Sequence, residues 1–165
     1  MLSKICDGNS DFSITAKVVL GSKNAKIKAT LGSLNIVYKG SHLSLLEDGI
    51  IKVGNRDVTD LIQLGIFKDF ANGAFRLRWD LLNISQRRIR VDVGDVLTIF
   101  YNGNGNLVIG ILDESLRSNL CGLLGNFNGK VDDDLMYLID GVWKTANPDI
   151  DIEVEEFVKA WKTEC

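Results

Sequence analysis

The strongest constraint on the fold is a period of two in the apolar residues along the first two thirds of the chain. In residues 12–20 apolar side chains alternate with polar or small ones, and in residues 25–31 they alternate with lysine and threonine. Successive side chains of a β-strand point to opposite faces, so each run places its apolar set on one side of a sheet. Similar runs at 34–38, 75–79 and 89–93 predict a mainly β protein.

Turn signals separate these runs. Asn-Gly and Asp-Gly tolerate the positive φ angles that tight hairpins require. Residues 96–101 and 107–112 flank two consecutive Asn-Gly pairs and predict a hairpin. Many short strands at this spacing predict two packed antiparallel sheets in a sandwich-like arrangement. The dipeptides lie at 48–49, 72–73, 102–103, 104–105 and 140–141.

The period changes near the C-terminus. Val154, Phe157, Val158 and Trp161 are spaced i, i+3, i+4 and i+7, which places them on one stripe of a helix. We therefore expect a short helix over residues 152–162 and a single domain over residues 1–165. The three tryptophans are interpreted as core residues rather than ligand platforms. They are Trp79, Trp143 and Trp161.

Charge and hydropathy exclude several classes of function. The net charge is −3 and no apolar run is long enough to cross a membrane, so neither nucleic acid nor a transmembrane segment is expected. Arginines at positions 76, 78, 87, 88 and 90 could form a strip for sulfated glycans, but a solvated sheet face is the preferred interpretation. No nucleophile–base pair accompanies the single histidine, His42, so no catalytic residues are assigned.

Residues 121–134 are unlike the rest of the chain. They concentrate five oxygen-bearing side chains around glycines at 122, 125 and 129, which allow tight backbone turns. Ca²⁺ takes about six to eight oxygen ligands, and such a loop can supply several of them. The alternative is a solvated acidic turn whose asparagines cap neighbouring backbone. The five residues are Asn126, Asn128, Asp132, Asp133 and Asp134.

The same segment carries a family resemblance. Residues 121–129 read C-G-L-L-G-N-F-N-G and precede Asp133-Asp134, which resembles the von Willebrand factor type D signature C-G-L-C-G-N-F-[ND]-G followed by [DN]-D. Residues 156–165 are similar to the closing F-G-x-S-W-K-x-x-x-C motif, and residues 46–58 match a central V-x-V-N-G stretch more loosely. The likeness covers nearly the whole chain from Cys6 onward.

The resemblance implies a calcium ligand set. Asn126 and Asn128 would contribute side-chain oxygens, Lys130 its backbone carbonyl, and Asp133 and Asp134 their carboxylates. The family's remaining ligand lies in an N-terminal G-D-P-H-type strand that this sequence lacks. We therefore expect the first strands of the domain to be missing and the calcium site to be weaker.

The resemblance also implies a disulfide pattern. Cys6 would pair with Cys121, whereas the second cysteine of the signature is Leu124 here. Cys165 resembles the closing cysteine, whose partner would lie upstream of Met1. It is expected to be unpaired within this chain and available for an intermolecular disulfide. The alternative is three reduced thiols in a cytosolic protein.

In function, the resemblance implies a secreted, non-enzymatic structural or interaction module of a larger protein. Its partners would be other domains of that protein or other extracellular proteins. Three cysteines favour a lipid-transport, vitellogenin-like parent over a disulfide-linked polymer. The alternative is a metal-assisted or luciferase-type enzyme fragment. Asn83-Ile84-Ser85 is an N-glycosylation sequon, so a secreted product is expected to be a glycoprotein modified at Asn83.

Overall fold

A computed structural model of the chain shows two compact units, one formed by residues 16–113 and the other by residues 1–15 and 114–165. The structure describes residues 3–5, 11–20, 29–83, 86–103, 106–116, 119–122, 125, 128, 134–147 and 149–160. Its strands are β1 (Ser3–Ile5), β2 (Phe12–Leu20), β3 (Ala29–Tyr38), β4 (Ser41–Leu45), β5 (Ile51–Val53), β6 (Arg56–Asp57), β7 (Lys68–Phe70), β8 (Phe75–Leu81), β9 (Arg87–Val93), β10 (Leu97–Tyr101), β11 (Leu107–Ile111), β12 (Leu120–Cys121), β13 (Met136–Ile139) and β14 (Val142–Thr145), and its helix is α1 (Asp151–Ala160).

The larger unit consists of two antiparallel sheets. One has the order β2-β3-β4-β5-β6 and the other the order β11-β10-β9-β8-β7. Apolar side chains of both sheets are fully buried, with Ile36, Leu43, Leu77 and Ile99 all at 0% exposure. The hydroxyl of Tyr101 on β10 lies 3.1 Å from the carbonyl oxygen of residue 31 on β3. The predicted mainly β fold with two packed antiparallel sheets is therefore confirmed.

The outward face of the second sheet holds four arginines of the predicted strip, at positions 76, 78, 88 and 90, whereas Arg87 lies on the other face, beside Trp79. The guanidinium carbons of Arg78 and Arg90 lie 4.5 Å and 5.1 Å from the ring centroid of Phe67. Asp92 accepts hydrogen bonds from Arg90 Nε at 2.9 Å and from Thr98 Oγ1 at 2.6 Å. These side chains form a network of stacked and ion-paired groups that is largely withdrawn from solvent, since the side chains of Arg90 and Asp92 are only 29% and 12% exposed. The expectation of a solvated face is therefore not met at these positions. The ion pairs of this face are Arg76–Asp69, Arg78–Asp80 and Arg90–Asp92.

In the smaller unit, β1 pairs with β12 on one side and with the start of β2 on the other. A two-residue turn, Asp140-Gly141, joins β13 to β14, and both turn residues have positive φ angles of 50° and 77°. This hairpin packs with α1, because Tyr137 and Phe157 meet edge to face with ring centroids 6.3 Å apart. The unit therefore has its own small apolar core.

Several local predictions agree with the structure. The strand over 12–20 has the predicted bounds, and the predicted hairpin is formed by β10 and β11. The helix begins at Asp151, one residue before its predicted start, and residues 161–162 of that prediction lie outside the described residues. The single-domain assignment for residues 1–165 stays a prediction. Within the described part of the chain, no helix combines the length and apolar character needed to cross a membrane.

Candidate functional site

The candidate loop, residues 121–134, begins at a buried strand end. Cys121 ends β12 opposite Lys4 of β1 and is only 7% exposed. Gly122 and Gly125, which follow, are also buried, and the Gly125 N–H donates to the Gly122 carbonyl at 3.1 Å. Gly125 has a φ of 74°, which an L side chain adopts only at a steric cost. The glycine is therefore required by the turn that follows the cysteine.

Asp134 lies directly against this turn. A Cβ built at Gly125 would be 2.7 Å from Asp134 Cγ, closer than real Cβ contacts come, and an unusually tight 3.1 Å from Asp134 Cβ. The aspartate is half-buried, as is Asn128. A glycine at position 125 thus provides the space that the carboxylate occupies. The Asp134 carboxylate, whose oxygens are potential metal ligands, therefore lies at a tight turn of the candidate loop.

The residues that follow the candidate loop pack against the small apolar core of this unit. Leu135, which follows Asp134, accepts a hydrogen bond from the Ala146 N–H at 3.0 Å through its carbonyl. Two residues later, the Tyr137 hydroxyl donates to Glu156 Oε2 of α1 at 3.0 Å. Desolvation and this hydrogen bond both raise the pKa of Tyr137 above its usual value. The residues that directly follow Asp134 are therefore held in place by hydrogen bonds to the residue after β14 and to α1.

Part of the predicted ligand set can be placed. Asn128 and Asp134 are among the described residues, whereas Asn126, Lys130 and Asp133 lie outside them. Among the described residues, no group of three or more His, Cys, Asp or Glu side chains could hold a metal ion. The contact of Asp134 with Gly125 was not part of the sequence prediction, which interpreted the glycines only as sites of chain reversal.

The predicted covalent sites are placed in a similar way. Cys6 and Cys165 lie outside the described residues, and Cys121 lies opposite Lys4 in the antiparallel pairing of β12 with β1. Asn83 is exposed in the turn between β8 and β9 and accepts a hydrogen bond from the Gln86 N–H at 2.9 Å.

The fold and the loop together define a β-sandwich-like module with a glycine turn and a C-terminal helix. The sequence profile of the von Willebrand factor type D domain matches residues 1–138, and the chain belongs to this family. Such domains occur in extracellular or secreted proteins. Zonadhesin from Oryctolagus cuniculus is 26% identical over 166 residues, which cover 98% of this chain and 6% of that protein. The chain thus spans a small part of that relative.

Proposed function

We propose that this domain is an extracellular, calcium-binding structural and interaction module of a larger secreted protein. The observation that carries the proposal is the Asp134 carboxylate lying against the Gly125 turn, inside the segment that resembles the family signature. A divalent cation relieves the repulsion among adjacent aspartates, and calcium accepts the irregular oxygen geometry of a short loop. Its role would be to stiffen the loop, not to activate a substrate.

The proposed ligands are those implied by the resemblance. Asn126 and Asn128 would provide amide oxygens, Lys130 a backbone carbonyl, and Asp133 and Asp134 carboxylates. These are hard oxygen donors, which calcium prefers. Of the five, Asn128 and Asp134 belong to the part of the chain that the structure describes, where both are half-buried.

Thermal unfolding with calcium or with chelator tests the proposal. A ligand present at 100 times its Kd stabilises the folded state by about 2.7 kcal/mol. For a protein of this size that corresponds to a rise in melting temperature of roughly 5–11 °C. The substitution Asp134→Asn should abolish most of the rise. Asp95→Asn, at an exposed turn of the other unit, is the matched control and should retain it. An unchanged midpoint of the unsubstituted protein in millimolar calcium would reject the site.

The type of parent protein is a separate part of the proposal. The similarity to zonadhesin supports an adhesion or assembly role, with other domains of the parent chain or other extracellular proteins as partners. The lipid-carrier interpretation depends only on the low cysteine count. Flotation with neutral phospholipid vesicles distinguishes the two, because an adhesion module should remain in the vesicle-free fraction.

The covalent features belong to the same proposal. The Cys6–Cys121 disulfide is proposed on the family resemblance alone, because the antiparallel register of β1 and β12 places Cys121 opposite Lys4. Cys165 would remain available for an intermolecular bond. The exposed turn position of Asn83 supports glycosylation there on a secretory route. Mass spectrometry of peptides from the secreted protein would detect the bridge and the glycan directly.

A further inference from the structure

A second candidate site lies in the larger unit, at the end of β8 that approaches the β8–β9 turn. The residues there form an open cleft of about 510 Å³. This volume is within the range of small-molecule sites. Seven residues line the cleft: Gly49, Thr59, Asp60, Ile62, Leu64, Trp79 and Arg87. None of them belongs to the candidate loop at residues 121–134, so the cleft is independent of the proposed calcium site.

Trp79 forms the aromatic part of this cleft. The sequence pattern predicted a core residue, but the side chain is only half-buried. It lines both the cleft and a small apolar cavity of about 40 Å³ between the sheets. Leu64 beside it is 46% exposed. The cleft therefore presents an aromatic and apolar surface to the solvent.

The cleft wall is fixed before any ligand arrives. The backbone N–H of Trp79 donates to the Gln63 carbonyl at 3.0 Å, and the backbone carbonyl of Trp79 accepts from the Gly65 N–H at 2.8 Å. Thr59, another lining residue, donates from its hydroxyl to Asp57 Oδ1 at 2.7 Å and accepts at that hydroxyl from the backbone N–H of Ile51 at 2.9 Å. Binding to such a surface requires little ordering of the protein.

Two charged side chains in the cleft are available to bind a ligand. Asp60 and Arg87 are exposed, and within the described residues neither side chain takes part in a hydrogen bond or an ion pair. A carboxylate offers acceptors and a guanidinium offers a planar fork of donors. The cleft thus combines an aromatic ring with a free acceptor group and a free donor group.

We infer that this cleft binds a neutral pyranose sugar. A pyranose has a C–H face that can stack on the electron-rich face of an indole ring, and hydroxyl groups around its rim that both donate and accept. A wholly apolar ligand would desolvate Asp60 and Arg87 without compensation. A polyanionic glycan would be repelled by Asp60. The neutral sugar satisfies the ring and both charged groups together.

Ligand-detected NMR and tryptophan fluorescence test this inference. Methyl β-galactoside, methyl α-mannoside and N-acetyllactosamine are titrated in chelator, so that failure of the calcium site cannot affect the result. We expect at least one to bind saturably, and Asp60→Asn and Arg87→Gln each to weaken it about tenfold or more, as expected for a lost charge-assisted hydrogen bond. Asp95→Asn and Arg56→Gln, at exposed positions outside the cleft, should change the affinity less than twofold.

Three results would overturn the inference. One is the absence of saturation with all three sugars up to about 50 mM, a Kd that corresponds to a binding free energy of only about −2 kcal/mol. Another is an equal loss of affinity in the cleft variants and in the controls. The third is binding of a heparin tetrasaccharide in preference to the neutral sugars.

Discussion

Replacing Gly125 with alanine is the sharpest test of the candidate loop, because two independent costs coincide there. The φ of 74° places an L residue in the left-handed region, at a cost of about 1–2 kcal/mol. The added Cβ also meets the Asp134 side chain, with Cγ only 2.7 Å away. Displacing a packed side chain costs about 1–3 kcal/mol more. We expect Gly125→Ala to lower the free energy of unfolding by about 2–5 kcal/mol.

Gly141→Ala is the matched control for the backbone cost. Gly141 lies in the same unit with a φ of 77°, and a Cβ built there would have nothing within 4 Å. Its substitution should cost only the backbone term of about 1–2 kcal/mol. The difference between the two variants therefore measures the contact between position 125 and the Asp134 carboxylate.

Urea unfolding in chelator measures both costs, and repeating it in calcium isolates the metal contribution. Because Asp134 must move away from an alanine at position 125, Gly125→Ala should also lose most of the calcium-induced stabilisation, whereas Gly141→Ala should retain it. If the two variants lose equal stability in chelator, the packing argument is wrong. If Gly125→Ala keeps the full calcium response, the position of Asp134 beside the turn is irrelevant to the metal.

Three further predictions follow from other contacts. Asp92→Ala removes the acceptor of three hydrogen bonds, two from Arg90 and one from Thr98, and should lower the free energy of unfolding by about 1.5–3 kcal/mol in urea titrations. A loss below 0.5 kcal/mol, roughly that of an ordinary surface substitution, would contradict this. Because the pKa of Tyr137 is raised, the folded state holds the hydroxyl proton more tightly than the unfolded chain does, and the free energy of unfolding falls as the pH rises past about 10.0. Tyr137→Phe should flatten that decline. An unchanged alkaline profile would show that the Glu156 contact does not affect stability. Thiol titration of the denatured, unreduced protein should find one free thiol if Cys6 and Cys121 are paired, whereas three would exclude the bridge.

Sequence reasoning succeeded where a local pattern decides the structure. The strand over 12–20, the β10–β11 hairpin and the Asp140-Gly141 turn were predicted because alternation and positive-φ residues act over a few neighbouring positions. The short strands β4 to β7 were not predicted. The strands β5, β6 and β7 contain only two or three residues each, too few to display a period, and all four exist because their backbone pairs with neighbouring strands.

What each candidate site can do was decided by tertiary structure. The sequence determined that residues 121–134 are rich in oxygen donors and glycine, but only the fold brings the Asp134 carboxylate against Gly125, nine positions away. Trp79 fits a buried sheet position by alternation, yet its place at the end of β8 leaves it half-exposed beside Asp60 and Arg87. Periodicity determines which face of a strand a side chain occupies, whereas its neighbours and its exposure depend on where the strands end and what packs against them.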